Sequence, residues 1–126
     1  MSDGLSSTNA SLAATAAVGT NAGNAQLHTG LPGSAGTANV SSTTTREAIT
    51  WGTAANGVVA TNGTAPKWPS WAGANGEVLS HVSTWSVATP GAGVFGLSAP
   101  ITPTVTMNTG DDFTLTGLTL TIPTAS

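Results

Sequence analysis

The chain has no cysteine and no tyrosine, and only two of its 126 residues are Lys or Arg. Without cysteine, disulfide scaffolds, thiolate zinc sites and thiol catalysis fall away together. Two cations cannot supply the basic footprint that neutralises nucleic-acid phosphates. No apolar run approaches the roughly 20 residues of a bilayer-spanning helix. Charged residues make up 6% of the chain, against about 25% in an ordinary domain. Ser, Thr, Gly, Ala and Asn fill that deficit, so hydroxyls and amides wet the surface rather than ions. A net charge of −3 beside a hydrophobic fraction of 39% also argues against disorder, because little repulsion holds the chain open. The length suits one domain. Composition therefore points to a structural or binding module.

Residues 1–23 read as an N-terminal arm and residues 24–126 as a β domain. In the arm, Ser7 or Thr8 can cap a short helix running to about Val18, with Gly19 in the left-handed position that ends it. An isolated helix of that length is marginal in water. The arm, helical or extended, is therefore expected to need a docking partner, on its own domain or on a neighbour, through Leu5, Leu12 and Val18.

After Asn24 the hydrophobic period changes to two. Ala25 to Thr29 reads as a strand and Ser34 to Thr45 as an extended loop. Arg46 to Gly52 alternates, with Glu47, Ile49 and Trp51 on one face. Asn56-Gly57 is a two-residue hairpin signal, since both residues tolerate positive φ. Pro66-Lys67-Trp68-Pro69 cannot be a central strand, because proline lacks the ladder donor. Glu77 to Ala88 carries apolar groups on both faces, as a central strand does. Between Phe113 and Ile122 the apolar parity slips by one at Gly117. One strand bent there by a bulge keeps both halves in the core. Seven or eight short strands at this spacing predict an all-β fold, a small β-sandwich or jelly roll.

Little in the chain carries chemistry. Gly91-Ala92-Gly93-Val94-Phe95-Gly96 has the G-x-G-x-x-G form, but Pro100 and Pro103 follow where a dinucleotide site needs a helix. His28 and His81 lack a third metal ligand, because the neighbours Asp111 and Asp112 point to opposite faces of a strand. No triad partner stands beside either histidine, so hydrogen bonding within the fold is their expected role. Paired acids for glycoside cleavage would require Glu47 and Glu77 to meet. No catalytic, cofactor or metal site is expected. Trp51 and Trp85 fall on apolar faces and read as core. Trp68 and Trp71 sit in a Pro-containing loop, where they either cap one end of the sandwich or form a contact surface. Arg46 and Lys67, isolated among neutral residues, are candidates for salt bridges between subunits.

A series of short motifs occurs in order: Leu27-His28-Thr29-Gly30, Pro32-Gly33, Ala35-Gly36-Thr37, Thr44-Thr45-Arg46-x-Ala48 and Thr50-Trp51. Trp68-Pro69-Ser70-Trp71, Ser80-His81-Val82-Ser83-x-Trp85 and Val105-x-x-x-x-Gly110-Asp111 follow. The series, over residues 24–122, resembles a family of small virion structural proteins from tailed phages of actinobacteria, of tail-fibre-like, minor tail or capsid-associated kinds. Leu31 stands where relatives often carry an acidic residue, which argues against an ion role for that loop. The resemblance implies a non-enzymatic particle component. The compact domain and its arm favour a decoration protein on the head exterior, bound to the major capsid protein and to copies of itself. The alternative is a tail-fibre or minor tail protein that binds host glycans.

Overall fold

The computed structural model describes residues 4–63 and 65–124. Its element order is α1 (Ser7–Gly19), β1 (Asn24–His28), β2 (Glu47–Ala48), β3 (Val58–Ala60), β4 (Lys67–Trp68), β5 (Glu77–Trp85), β6 (Phe95–Met107), β7 (Phe113–Thr114) and β8 (Thr119–Thr121). The fold is all-β, a small β-sandwich with one short N-terminal helix. A four-stranded antiparallel sheet runs β2-β1-β5-β6, and two ribbons, β3-β8 and β4-β7, accompany it. β5 is central, as its two apolar faces require. The core joins Ala25, Leu27, Leu79 and Val82 from the sheet to Trp68 and Phe113 from one ribbon.

The C-terminal segment differs from the single bent strand read from its pattern. Phe113 and Leu115 are buried, then Leu118, so the parity slip lies where expected. Gly117 takes a φ of 72° there, a left-handed conformation that costs other residues about 1–2 kcal/mol. The break is complete, however. β7 pairs with β4 through Trp68 opposite Phe113, while β8 pairs with β3 through Val59 opposite Leu120. Backbone bonds from Leu115 to Pro66 and from Thr61 to Leu118 flank the interruption. Residues 57–63 and 65–71 thus pair antiparallel with 110–122 in two stretches of different register.

The Arg46–Gly52 alternation yields only the two-residue β2, and the buried side chains there are Arg46 and Ile49. Asn56 and Gly57 adopt φ of 51° and 78°, and Ala55 and Val58 exchange both backbone bonds across them. This is the type I′ geometry that matches strand twist. β5 against β6 carries two register shifts, between Leu79 and His81 and between Ser83 and Trp85. At the second, the Thr84 hydroxyl oxygen accepts the Leu97 N–H at 3.0 Å, satisfying a donor that the bulge removes from the ladder.

The helix begins one residue earlier than expected. Ser6 caps it, its Oγ accepting the Asn9 N–H at 3.2 Å, and Thr20 rather than a left-handed Gly19 follows its end. The helix docks on its own chain rather than awaiting a neighbour. Ala10 and Ala14 form the buried face, and the Ser11 hydroxyl oxygen accepts the Gly57 N–H at 3.1 Å. A face of alanines lets the helix approach the β3 turn closely, which larger side chains would prevent. No helix among the described residues is long and apolar enough to cross a membrane.

Candidate functional site

In an antiparallel pair, directly opposed residues share a face. Gln26 lies opposite Ser83, His28 opposite His81, and Asn24 opposite Trp85. Alternation along β1 and the end of β5 therefore places a polar set on one face, while Ala25, Leu27 and Val82 face the apolar core. The loop between β1 and β2 covers the polar face. Gln26, His28 and Ser83 are buried there, so their polar atoms need partners.

The partners form a chain. Trp85 Nε1–H donates to Ser83 Oγ at 2.8 Å, Ser83 Oγ lies 2.6 Å from His28 Nε2, and His28 Nδ1 lies 2.9 Å from the Ala38 carbonyl. With the carbonyl able only to accept, Nδ1 carries the proton and Nε2 accepts the serine hydrogen. Burial pushes the His28 pKa down, more strongly than the nearby carbonyls raise it. This histidine is a neutral packing element, as hydrogen bonding within the fold implies. His81 instead contacts its sequence neighbour, with Ser80 Oγ 2.9 Å from Nδ1. Strict alternation would send these two apart; the register irregularity between Leu79 and His81 lies at this point.

Arg46 is the larger surprise. It is 6% exposed, so it is not a free surface cation for a bridge between subunits. Its Nε donates to Gln26 Oε1 at 2.9 Å. Its Nη1 lies within 2.8–3.0 Å of the carbonyls of Val87, Thr89 and Ala92. The guanidinium carbon stands 4.2 Å from the centroid of the Trp85 ring, a cation–π contact. Trp85 in turn meets Phe95 at 5.6 Å between centroids. Burial lowers the Arg46 pKa. Arg46 thus ties the loop after β5 back to β1. Beside it opens a cavity of about 380 Å³, bounded by Gln26, Thr37, Arg46, Trp85 and Phe95 with the glycine-rich turns around them.

The remaining interface candidates divide. Trp68 and Trp71 are 3% and 2% exposed, so both lie in the core of their own chain rather than on its surface. Trp68 alternates with Lys67 on β4, so it turns inward onto Phe113, 5.8 Å between centroids. Its Nε1 donates to the Thr45 carbonyl, and Trp71 Nε1 donates to Ala74. Lys67 faces out and pairs with Asp112 of the same chain at 3.2 Å, both half-exposed. The Ser70 N–H, then Lys67, hold the Asp112 carboxyl below its usual value. Leu12 is 64% exposed, Leu5 is exposed and Val18 is partly so. Leu12 remains available to a neighbour, whereas Leu5 is tied to its own chain by a parallel backbone bridge with Thr124.

Glu47 and Glu77 do not meet. Glu47 lies opposite Ala25, itself opposite Thr84. Glu77 stands seven residues earlier on β5, roughly 20 Å along the strand. Its carboxylate accepts the Ser41 hydroxyl and the Ser42 N–H. Among the described residues no group of three His, Cys, Asp or Glu could hold a metal. Gly91 and Gly93 form turns leading directly into β6, so the glycine motif meets no helix. A groove of about 430 Å³ between β6 and residues 113–119 is lined by no charged side chain or imidazole.

The described polar residues hold the loops of the β-sandwich in place. Residues 6–123 match the model of a family described as podophage GP4 fiber I protein gp80, and the chain belongs to that family. It is a bacteriophage virion protein of the fibre type. No curated protein matches the chain. The family description backs the tail-fibre alternative better than the head-exterior reading, and its podophage label lends no support to an actinobacterial origin.

Proposed function

We propose that this chain is a non-enzymatic component of a phage tail fibre that contributes to contact with the host surface, working as one of several copies. The fibre-family match over residues 6–123 carries the reading. The exterior supports it: Thr, Ser and Asn side chains predominate over ions, which suits hydrogen bonding to saccharide hydroxyls and to neighbouring copies. Repetition makes weak single contacts sufficient, because linked sites multiply affinity. The exposed Leu12 on α1 gives a like chain an apolar contact.

Gold-labelled antibody against the chain, applied to virions that carry it, is expected to mark the tail. Purified protein is expected to compete with those virions for host-cell adsorption. Label on the head, with no competition, would overturn the reading in favour of a capsid-exterior protein.

A further inference from the structure

Beside the Arg46 cavity stand two donors that no described residue accepts from. Arg46 Nε and Nη1 are fully committed, and Nη2 has no acceptor among the described residues. Gln26 is in the same position. Its Oε1 is taken by Arg46 Nε, which turns its Nε2 to the other side, where no described residue accepts. Both side chains are more than nine-tenths buried. Yet among the described residues no enclosed side-chain nitrogen or oxygen lacks a partner. Nη2 and Nε2 therefore reach open space, and the space both residues line is this cavity. A buried guanidinium also wants a counter-charge, because neutral carbonyls only partly replace one. The ion pair among the described residues is Lys67 with Asp112, so no described carboxylate pairs with Arg46.

Two N–H donors on residues of one cavity, and a positive charge with no described carboxylate beside it, describe a receptor for an oxyanion such as a carboxylate, a strong hydrogen-bond partner of a guanidinium. The other walls describe what carries that carboxylate. Trp85 and Phe95 give an apolar flank, and the exposed Thr37 gives a hydroxyl at the rim. The volume of about 380 Å³ falls at the small end of ligand pockets, suited to one ring rather than an extended chain. We infer that this cavity binds the sugar acid of a host-surface polysaccharide. Arg46 Nη2 and Gln26 Nε2 donate to its carboxylate, and its ring lies against Trp85 and Phe95. The polysaccharide source rests on the fibre reading above; the preference for a carboxylate rests on the cavity alone.

The test is titration of the full chain with galacturonate, galactose and inorganic phosphate, followed by calorimetry and tryptophan fluorescence. Galacturonate is expected to bind saturably and to perturb the fluorescence, with galactose and phosphate weaker by at least about tenfold. No galacturonate binding, or galactose binding equally well, would overturn the inference; phosphate binding equally well would overturn the sugar-acid assignment. Gln26→Glu supplies the missing carboxylate internally. It is expected to keep the melting temperature and to lose galacturonate binding by at least about tenfold; retained binding would overturn the site. Thr37→Trp, at the exposed rim, blocks the mouth without touching the Arg46 contacts and is expected to give the same loss. A chain that adsorbs to host cells but ignores galacturonate would end this inference and leave the fibre role standing. A chain that takes galacturonate but never adsorbs would do the reverse.

Discussion

His28 Nε2 and Ser83 Oγ meet at 2.6 Å across the centre of the sheet, one on β1 and the other on β5. Because the Trp85 indole already donates to that serine oxygen, the serine hydrogen is directed at the imidazole, which must be neutral to receive it.

Stability should accordingly fall on mild acidification. Burial holds the folded pKa of His28 below 6.5, so as pH drops through about 6.5 the unfolded chain takes up a proton before the folded one. The contribution is complete above that pH and is lost progressively below it, down to the folded pKa. Thermal unfolding between about pH 7 and pH 5 is expected to show a falling Tm, and His28→Gln is expected to flatten that slope. Asp112, with its pKa held below 3.8, loses its contribution only at still lower pH, so the two windows separate. An unchanged slope in His28→Gln would contradict the neutral imidazole.

Arg46→Lys should destabilise the protein despite keeping the charge. A lysine has no planar fork, so it cannot reach Gln26 and the three loop carbonyls at once. Hydrogen bonds to charged groups contribute roughly 1.5–3 kcal/mol each, and a total loss of about 2–3 kcal/mol is expected. Hydrogen exchange would show the effect concentrated in residues 86–94. Uniform acceleration over the whole chain would argue against Arg46 as a local clamp.

Trp68→Ala and Lys67→Ala should part company although the residues are adjacent. Trp68 packs against Phe113 in the core, and truncating a buried indole costs about 3–5 kcal/mol. Lys67 is half-exposed in its pair with Asp112, and such pairs are worth little. Denaturant titration is the measurement. If Trp68→Ala abolishes host adsorption, the melting curve will show that the fold was lost first.

Two glycine substitutions should differ for a geometric reason. Gly117 and Gly36 both have positive φ. A Cβ at Gly117 meets nothing, whereas one at Gly36 runs into the Phe95 ring. Gly117→Ala is expected to cost about 1–2 kcal/mol, the backbone cost alone. Gly36→Ala should cost more and shift the Phe95 wall of the cavity, read as a larger drop in Tm and a weaker response to galacturonate.

Much of the architecture was legible because period-two hydrophobicity is a local signal. The central character of β5, the Asn56-Gly57 turn and the parity slip at Gly117 are all readable within about ten residues. The docking of α1 was not, because its buried face is made of alanines, which carry no hydrophobic pattern. Trp68 and Trp71 were ambiguous, since flanking prolines mark a loop but do not say whether its aromatics turn inward. The Arg46 cavity was the least visible. Gln26, Arg46, Trp85 and Phe95 come from four separate segments, and a cation among neutral residues reads as surface until its acceptors are known.

The sequence alone determined the class of fold, the turns, and the exclusion of thiol chemistry and of a basic nucleic-acid footprint, because these follow from residue type and near-neighbour spacing. Tertiary structure alone decided that a lone arginine is buried on backbone carbonyls, that two loop tryptophans lie in the core, and that Gln26 and Arg46 line one cavity. Those facts depend on which distant segments pair and in what register, and register is set by cooperative packing of the whole chain rather than by any stretch of it.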